Sequence, residues 1–128
     1  AESMKFPIQK VLDSGNEKVF VTERGTSFVY QDLIVDFRGI PIMKNFGQPV
    51  IMDCTHALQM PNQPSGQTGG QPQYVETMAK CALVAGADGF FIETHPDPKN
   101  ALSDGANMLP LHEMENLIKN LMAIKSVI

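Results

Sequence analysis

Three short apolar runs recur along the chain, and none alternates apolar with polar residues as a half-exposed strand does. They are VFV at residues 19–21, PVIM at residues 49–52 and GFFI at residues 89–92. Continuous runs of this length, rich in β-forming residues, are typical of parallel strands that are covered on both faces. The pattern therefore predicts three buried parallel strands.

Helical patterns separate and follow these runs. Residues 37–46 predict a helix that ends at Gly47, and residues 75–85 predict a second that ends at Gly86. After the third run, one apolar face follows the i, i+3, i+4 spacing, through Leu111, Met114, Leu117, Ile118, Leu121 and Met122. The predicted order is helix, β, α, β, α, β, α. The runs begin 30 and 40 residues apart, a spacing typical of successive right-handed βα units.

Two long polar segments each follow a predicted strand. Residues 60–73 (MPNQPSGQTGGQPQ) and residues 94–110 (THPDPKNALSDGANMLP) are too rich in Pro, Gly and polar residues to pack as regular elements. Long loops after strands and short turns before them are typical of a β/α barrel. A closed barrel needs eight strands and about 250 residues, so we expect residues 1–128 to be part of one barrel domain. A small open doubly wound sheet remains an alternative.

Composition and charge limit the classes of function. A chain of 128 residues, 43% of them hydrophobic, is long enough for one folded core and too short for two domains. The net charge of -4 argues against sequence-independent binding to nucleic acid or an anionic membrane. No apolar run approaches the roughly 20 residues that span a bilayer, and the first ten residues lack a signal peptide's apolar stretch. We therefore expect a cytoplasmic protein with its two cysteines, Cys54 and Cys81, reduced.

Polar side chains follow each predicted strand. If the strands are parallel, these side chains gather at one rim, where barrels place their active sites. The rule selects Glu23, Arg24 and Gly25 after the first run, Asp53, His56 and Gln59 after the second, Glu93, His95 and Asp97 after the third, and Asp104 in the loop beyond.

Arg24 is the candidate for binding an anionic substrate. Its guanidinium offers parallel donors that match a phosphate or carboxylate oxygen pair, and it cannot lose its proton. The alternative is a surface ion pair with Glu23 or Asp36. The sequence leaves both interpretations open.

His56, Glu93 and Asp104 are the candidates for a metal site. Together they offer one imidazole and two carboxylates, three protein ligands for a divalent ion of borderline hardness. Their spacing is not a local metal motif, and a histidine held by hydrogen bonds alone is the competing interpretation. Cys54 lies two residues before His56, so a Cys-x-His ligand pair is conceivable, although a buried structural thiol is the more frequent case.

Three long segments resemble the 3-deoxy-D-manno-octulosonate 8-phosphate synthase family. They are ERGTSFVYQDLIVDFRGIPIMK at residues 23–44, PVIMDCTHALQ at residues 49–59 and GFFIETHPDPKNALSDGANMLP at residues 89–110. The resemblance implies the C-terminal part of a TIM (β/α)8 barrel, with its last three strands and helices, whose N-terminal strands are absent from this chain. It also implies a transferase, an aldol-type synthase of lipopolysaccharide biosynthesis. Such an enzyme condenses phosphoenolpyruvate with D-arabinose 5-phosphate and water, giving 3-deoxy-D-manno-octulosonate 8-phosphate and phosphate.

Residue roles also follow from the resemblance. By position, Arg24 resembles the arginine that binds phosphoenolpyruvate, and Gln59 matches a polar residue of the same substrate-binding pocket. His56, Glu93 and Asp104 resemble the metal-site residues, which we expect to be catalytic. Residues 60–73 resemble a loop that closes over the substrates.

The family resemblance favours a metal-dependent enzyme. A metal-independent branch usually carries Pro where this chain has Ala106, and the deciding Cys or Asn lies near the first strand, outside this chain. We expect a divalent metal (Zn, Fe, Mn or Co) whose fourth ligand is that Cys, and no organic cofactor. The expected partners are small phosphorylated substrates and further copies of the protein, typically a homotetramer, with no nucleic acid and no membrane.

Two alternative functions remain open. A related heptulosonate-phosphate synthase uses erythrose 4-phosphate and shares the logic of the metal site. The other alternative is a catalytically incomplete metal-binding or assembly fragment, because this chain alone lacks the cations needed for two phosphates and a carboxylate. We expect the isolated 128 residues to be inactive and the missing barrel half to supply several Lys or Arg groups.

Overall fold

The computed structural model describes residues 1–27, 32–61, 63 and 68–128. The α-helices are α1 (Lys5–Asp13), α2 (Gly39–Lys44), α3 (Val75–Val84) and α4 (Met114–Lys125). The strands are β1 (Val21–Glu23), β2 (Thr26–Ser27), β3 (Leu33–Ile34), β4 (Val50–Asp53), β5 (Gln59–Met60), β6 (Gly69–Gly70), β7 (Gly89–Phe91), β8 (Thr94–His95) and β9 (Leu109–Pro110). Single 3-10 turns span Glu2–Met4, His56–Leu58, Pro72–Tyr74, Pro98–Asn100 and Leu111–Glu113.

The central sheet has three parallel strands in the order β1-β4-β7. Glu23 pairs with Met52, and Asp53 pairs with Phe91, so the carboxyl ends of the strands lie at one edge. Helices α2 and α3 connect successive strands, as predicted. The three parallel strands predicted from the apolar runs are therefore confirmed, and the chain is α/β.

The predicted bounds of the first strand are wrong by two residues. The strand covers Val21–Glu23 rather than residues 19–21. Pairing begins where the Val21 N–H donates to the Pro49 carbonyl at 2.9 Å, and Phe20 before it is 62% exposed. The apolar composition of residues 19–21 does not show where pairing with β4 begins.

The core lies between the sheet and the helices that cover it. Val50 and Met52 of β4 are fully buried, and α3 buries the predicted face at Val75, Ala79 and Ala82. Leu117 and Leu121 of α4 are buried and Met114 is partly buried, whereas Ile118 and Met122 of α4, and Leu111 in the turn before it, are about half exposed. The apolar stripe of α4 is thus wider than the surface that it covers in the described chain.

Glycines end two of the helices as predicted. Gly47 (φ 83°) follows α2 and Gly86 (φ 96°) follows α3, both in the left-handed region that a side chain disfavours. Helix α2 covers Gly39–Lys44 and is therefore shorter than the predicted 37–46.

A polar cluster ties these helix ends to the amino-terminal end of β4. Lys44 Nζ donates to the Gly86 carbonyl at 2.7 Å and to Asp88 Oδ1 at 2.8 Å, and the Val50 N–H donates to Asp88 Oδ2 at 2.9 Å. The hydrogen bond from Lys44 lowers the pKa of Asp88, and the Val50 N–H adds to that effect. This cluster joins the α2–β4 and α3–β7 connections at the end of the sheet opposite the predicted rim.

The long segments after the strands contain short ladders. Strand β5 pairs antiparallel with β6, and β8 pairs in parallel with β9, so the expectation that residues 94–110 are wholly irregular is wrong. Residues 62 and 64–67 of the predicted closing loop lie outside the described residues, and the expectation that this loop closes stays a prediction. In the part of the chain that the structure describes, no helix has the length and apolar character needed to cross a bilayer.

Candidate metal centre at the strand ends

Three predicted metal-site residues meet at the carboxyl ends of β4 and β7. One ligand atom each from His56, Glu93 and Asp104 can be chosen so that all lie within 4.8 Å of one another. His56 begins the turn after β4, Glu93 follows β7, and Asp104 lies in the loop between β8 and β9. Three separate segments therefore bring one imidazole and two carboxylates to one point.

The His56 ring is held by Asp53. Asp53 Oδ2 lies 2.8 Å from His56 Nδ1, and Asp53 Oδ1 accepts the backbone N–H groups of Thr55 at 3.1 Å and of His56 at 2.8 Å. An ionised carboxylate only accepts hydrogen bonds, so the Nδ1 atom carries the proton in this pair. The Nε2 atom of His56 therefore faces Glu93.

Glu93 faces that Nε2 atom with incomplete hydrogen bonding. Its backbone N–H donates to Thr55 Oγ1 at 2.8 Å, which fixes the chain after β7 against the turn after β4. Glu93 Oε1 lies 3.5 Å from His56 Nε2, and Glu93 Oε2 is buried with no hydrogen-bond partner among the described residues. A buried carboxylate oxygen without a partner is costly, and a metal cation bound there would compensate it.

Asp104 approaches the group from an exposed loop. Its φ of 51° lies in the left-handed region, which Asp tolerates better than most residues. Its Oδ1 accepts a hydrogen bond from Gln59 Nε2 at 3.1 Å. Asp104 is thus oriented by a polar side chain from β5.

Arg24 is connected to the same group through Gln59. Arg24 Nη2 donates to Gln59 Oε1 at 2.8 Å, and the arginine is exposed at the end of β1. The alternative ion pairs are not formed within the described ranges, because Asp36 pairs with Arg38 at 2.7 Å and Glu23 accepts the Gly25 N–H at 2.7 Å. The guanidinium is therefore placed to meet an anion beside the candidate metal site.

Two cavities flank this site. One of about 380 Å³ lies beside β1 and is lined in part by Glu23 and Arg24. Another of about 620 Å³ is lined in part by Lys99, Ser103 and Asp104. The rim therefore has open space beside Arg24 and beside Asp104.

Other rim residues lie outside the group. His95 Nδ1 accepts the Asp97 N–H at 3.0 Å, and Asp97 Oδ2 accepts a hydrogen bond from Asn100 at 2.6 Å. Cys54 is fully buried, and burial raises the pKa of its thiol to about 12. Cys54 does not belong to the group of potential ligands, so the geometry does not support the conceivable Cys-x-His pair.

Comparison with known proteins identifies the family. The model of the DAHP synthetase I family matches residues 1–128. The chain belongs to this family.

Individual relatives carry the name of one enzyme. The chain is 50% identical over 124 residues to 2-dehydro-3-deoxyphosphooctonate aldolase of Brucella abortus (strain S19), covering 97% of this chain and 45% of the relative. The Brucella ovis protein of the same name is 49% identical over the same coverage. The chain thus spans less than half the length of these relatives.

A solved structure shares the fold. The phospho-2-dehydro-3-deoxyheptonate aldolase (DAHP synthase) of Thermotoga maritima superposes with a TM-score of 0.79 at 25% identity, over 94% of this chain and 33% of that one. The arrangement of β1, β4 and β7 with their helices is therefore one that a DAHP synthase contains.

Selecting the polar residues that follow each strand finds only some of the supporting residues of this DAHP synthetase I family chain. The sequence predicts Asp53 as a rim residue without a role and does not predict Thr55 or Asn107, yet Asp53 and Thr55 orient His56 and Glu93. The spacing of Asp53 three residues before His56 was the available signal, since an Asp side chain readily accepts backbone N–H groups two or three residues ahead.

Proposed function

We propose that this chain is the C-terminal part of a (β/α)8 synthase that condenses phosphoenolpyruvate with D-arabinose 5-phosphate and water. The products are 3-deoxy-D-manno-octulosonate 8-phosphate and phosphate, and the enzyme is a transferase of lipopolysaccharide biosynthesis. The observation that carries the proposal is the convergence of His56, Glu93 and Asp104 within 4.8 Å. The printed name of the Brucella relatives, at 50% and 49% identity, supports the choice of reaction.

The fold supports the barrel part of the proposal. Strands β1, β4 and β7 are parallel and are joined through helices, and β1 and β7 each pair with one strand of the described sheet. An edge strand with free backbone groups needs a partner or a cover. We infer that residues 1–128 contribute the last three strands and that the rest of the gene product contributes the others. From the family resemblance we also expect a cytoplasmic homotetramer.

Arg24 would bind phosphoenolpyruvate. A guanidinium at the rim pairs with a phosphate or carboxylate and holds the anion with one face turned to the sugar. Gln59 orients this guanidinium by accepting a hydrogen bond from its Nη2 atom. Two phosphates and a carboxylate carry more charge than Arg24 can neutralise, so we expect further Lys or Arg groups from the remainder of the barrel.

The residues present suit a divalent metal such as Zn, Fe, Mn or Co. His56 offers Nε2 because Asp53 occupies Nδ1, and Glu93 offers an oxygen that has no other partner in the described chain. When bound, such an ion supplies Lewis-acid polarisation and a template for a substrate oxygen. His56, Glu93 and Asp104 are then catalytic residues, and a Cys from the rest of the chain is the expected fourth ligand.

The proposed reaction balances without an organic cofactor. The C3 atom of phosphoenolpyruvate forms a bond to the aldehyde carbon of the sugar, water adds at C2, and phosphate leaves with cleavage of its C–O bond. The aldehyde oxygen gains a proton and becomes a hydroxyl group. Arg24 fixes the attacking face of phosphoenolpyruvate, and the group around His56 lies at the same rim to receive the sugar.

A second candidate is the condensation with erythrose 4-phosphate. The name of the Thermotoga maritima structure and the name of the family model favour it. The identity of 50% to the octulosonate relatives, against 25% to that structure, makes it the weaker candidate.

Phosphate release by the full-length gene product tests the choice. We expect turnover of phosphoenolpyruvate with arabinose 5-phosphate, whereas turnover with erythrose 4-phosphate alone would overturn the proposal in favour of the second candidate. We expect no turnover by the isolated 128-residue chain, and activity of that chain would contradict the incomplete site.

Metal analysis of the same protein tests the shared site. We expect His56→Ala, Glu93→Ala and Asp104→Ala each to lower the bound metal well below one ion per chain. His112→Ala is the matched control, because His112 is exposed and its one ion-pair partner among the described residues is Glu113, at 3.8 Å. Unchanged metal content in all three variants would refute the site.

A further inference from the structure

Gln59 lies between the two halves of the proposed site. Its Oε1 accepts from Arg24 Nη2 at 2.8 Å, and its Nε2 donates to Asp104 Oδ1 at 3.1 Å. We propose that Gln59 is a positioning residue that couples the substrate-binding arginine to the metal-binding aspartate. This inference rests on the proposed function and assigns to Gln59 a role beyond contact with the substrate.

The chemistry of the three groups allows one orientation of the Gln59 amide. A guanidinium only donates hydrogen bonds and an ionised carboxylate only accepts them. The amide oxygen must therefore face Arg24 and the amide nitrogen must face Asp104. A flipped amide would place its NH2 group against the guanidinium and its oxygen against the carboxylate. Because the amide has only this one favourable orientation, movement of either neighbour disturbs both hydrogen bonds.

The backbone on both sides of this bridge is tightly packed. Gln59 pairs with Gly70 in the ladder of β5 with β6. Gly70 lies against Asn107, and a methyl group added to Gly70 would overlap the Asn107 amide and lie 2.6 Å from the Ala106 carbonyl. Asn107 is 1% exposed, and its N–H donates to the Asp104 carbonyl at 2.9 Å. The same ladder therefore positions the Asp104 side chain through Gln59 and supports the Asp104 turn through Gly70.

This arrangement predicts thermodynamic linkage between the two ligands. The hydrogen bond to Gln59 leaves the second oxygen of Asp104 for a cation and the remaining donors of Arg24 for an anion. An anion that draws Arg24 toward itself changes the hydrogen bond to Gln59 and thereby the position of Asp104. By reciprocity, phosphoenolpyruvate and the metal each change the affinity of the other by the same factor.

Titration of the full-length protein with Co²⁺ tests the inference without an activity assay. The Co²⁺ dissociation constant is measured by chelator competition, with and without phosphoenolpyruvate, for the wild type and for Gln59→Met. We expect about tenfold weaker Co²⁺ binding in the variant, the size usual for groups that orient a metal ligand. We also expect a severalfold effect of phosphoenolpyruvate in the wild type that falls to near one in the variant.

Two further variants keep the result decisive. Gln59→Asn retains an amide but is one methylene too short to span both partners, so it should act in the same direction even if Gln59→Met folds poorly. Gln48→Met makes the same chemical change before β4, at the opposite end of the sheet, and should leave both constants unchanged.

The outcomes separate the inference from the proposed function. Co²⁺ affinity within twofold of the wild type in both Gln59 variants, or no effect of phosphoenolpyruvate in the wild type, would overturn the coupling. Absence of phosphate release by the wild type with either sugar would overturn the proposed function, whereas the Co²⁺ titrations would still report on Gln59.

Discussion

Asp53 Oδ2 lies 2.8 Å from His56 Nδ1, while Asp53 Oδ1 accepts the backbone N–H of His56 at 2.8 Å. Both carboxylate oxygens thus bind the same residue, three positions along the chain. Asp53 is 5% exposed, so these hydrogen bonds are shielded from water. The imidazole is fixed in orientation and in tautomer, with Nε2 directed toward Glu93 at 3.5 Å.

Replacing Asp53 with Asn should weaken metal binding by about 10- to 100-fold. The Asn amide group can donate to Nδ1, which moves the imidazole proton to Nε2 and blocks the atom that faces the site. Chelator competition with Co²⁺ on the full-length protein measures this change. Asp97→Asn serves as the control, since Asp97 is exposed and bonds to Asn100 instead. Equal Co²⁺ affinity in Asp53→Asn and the wild type would argue that His56 is not a ligand.

Gly70→Ala should lower the free energy of unfolding by about 1–3 kcal/mol, the usual cost of forcing extra volume into a packed site. The added methyl group meets the Asn107 amide and the Ala106 carbonyl, and the carbonyl belongs to the backbone and cannot rotate away. Denaturant unfolding of the full-length protein measures the loss. In Gly69→Ala the nearest atom is the flexible end of Met60 at 3.2 Å, so a comparable loss there would contradict this explanation.

Asp88→Asn should destabilise the protein in a pH-dependent manner. The folded pKa of Asp88 is lowered, first by the hydrogen bond from Lys44 and then by that from Val50. Its stabilising contribution is therefore complete above the ordinary aspartate pKa of about 3.9 and is lost as the pH falls through the lower folded value. Because the Asp88 side chain is 38% exposed, solvent screening limits the expected loss at neutral pH to about 1 kcal/mol.

Urea unfolding between pH 7 and pH 3 checks the Asp88 prediction. The difference between the wild type and Asp88→Asn should shrink at the acidic end. Asp36→Asn is the comparison, since Asp36 pairs with Arg38 at a more exposed position than Asp88 and should matter less. A difference that grows toward low pH would have the wrong sign for this mechanism.

Cys54 should neither bind the metal nor react with thiol reagents in the folded protein. Burial raises the pKa of its thiol to about 12, so the reactive thiolate is scarce at neutral pH, whereas Cys81 is exposed. Labelling with a thiol reagent at pH 8 should therefore modify Cys81 first. The Cys54→Ala variant should bind as much Co²⁺ per chain as the wild type. Loss of Co²⁺ in this variant would instead support Cys54 and His56 as a pair of metal ligands.

The sequence predicted the sheet and the rim because both follow from local composition. Apolar runs identified three parallel strands, and the residues after them included His56 and Glu93. Asp104 was harder, since it lies in the loop between β8 and β9, and polar, Pro-rich sequence conceals the pairing of these strands. Gln59 lies 35 positions after Arg24 and 45 positions before Asp104. Side-chain contacts over such separations depend on tertiary geometry that periodicity does not encode.

The pairing of Asp53 with Phe91 has a consequence for folding. A slip of one residue between β4 and β7 would move Glu93 by about 3.3 Å relative to His56 and turn its side chain to the opposite face. A cation would then be bound in one strand alignment and rejected in its neighbours. At a concentration of 100 times its dissociation constant, it would favour the native alignment by about 2.7 kcal/mol. Metal binding would thus raise the free energy of misaligned strand pairings relative to the native one while the protein folds.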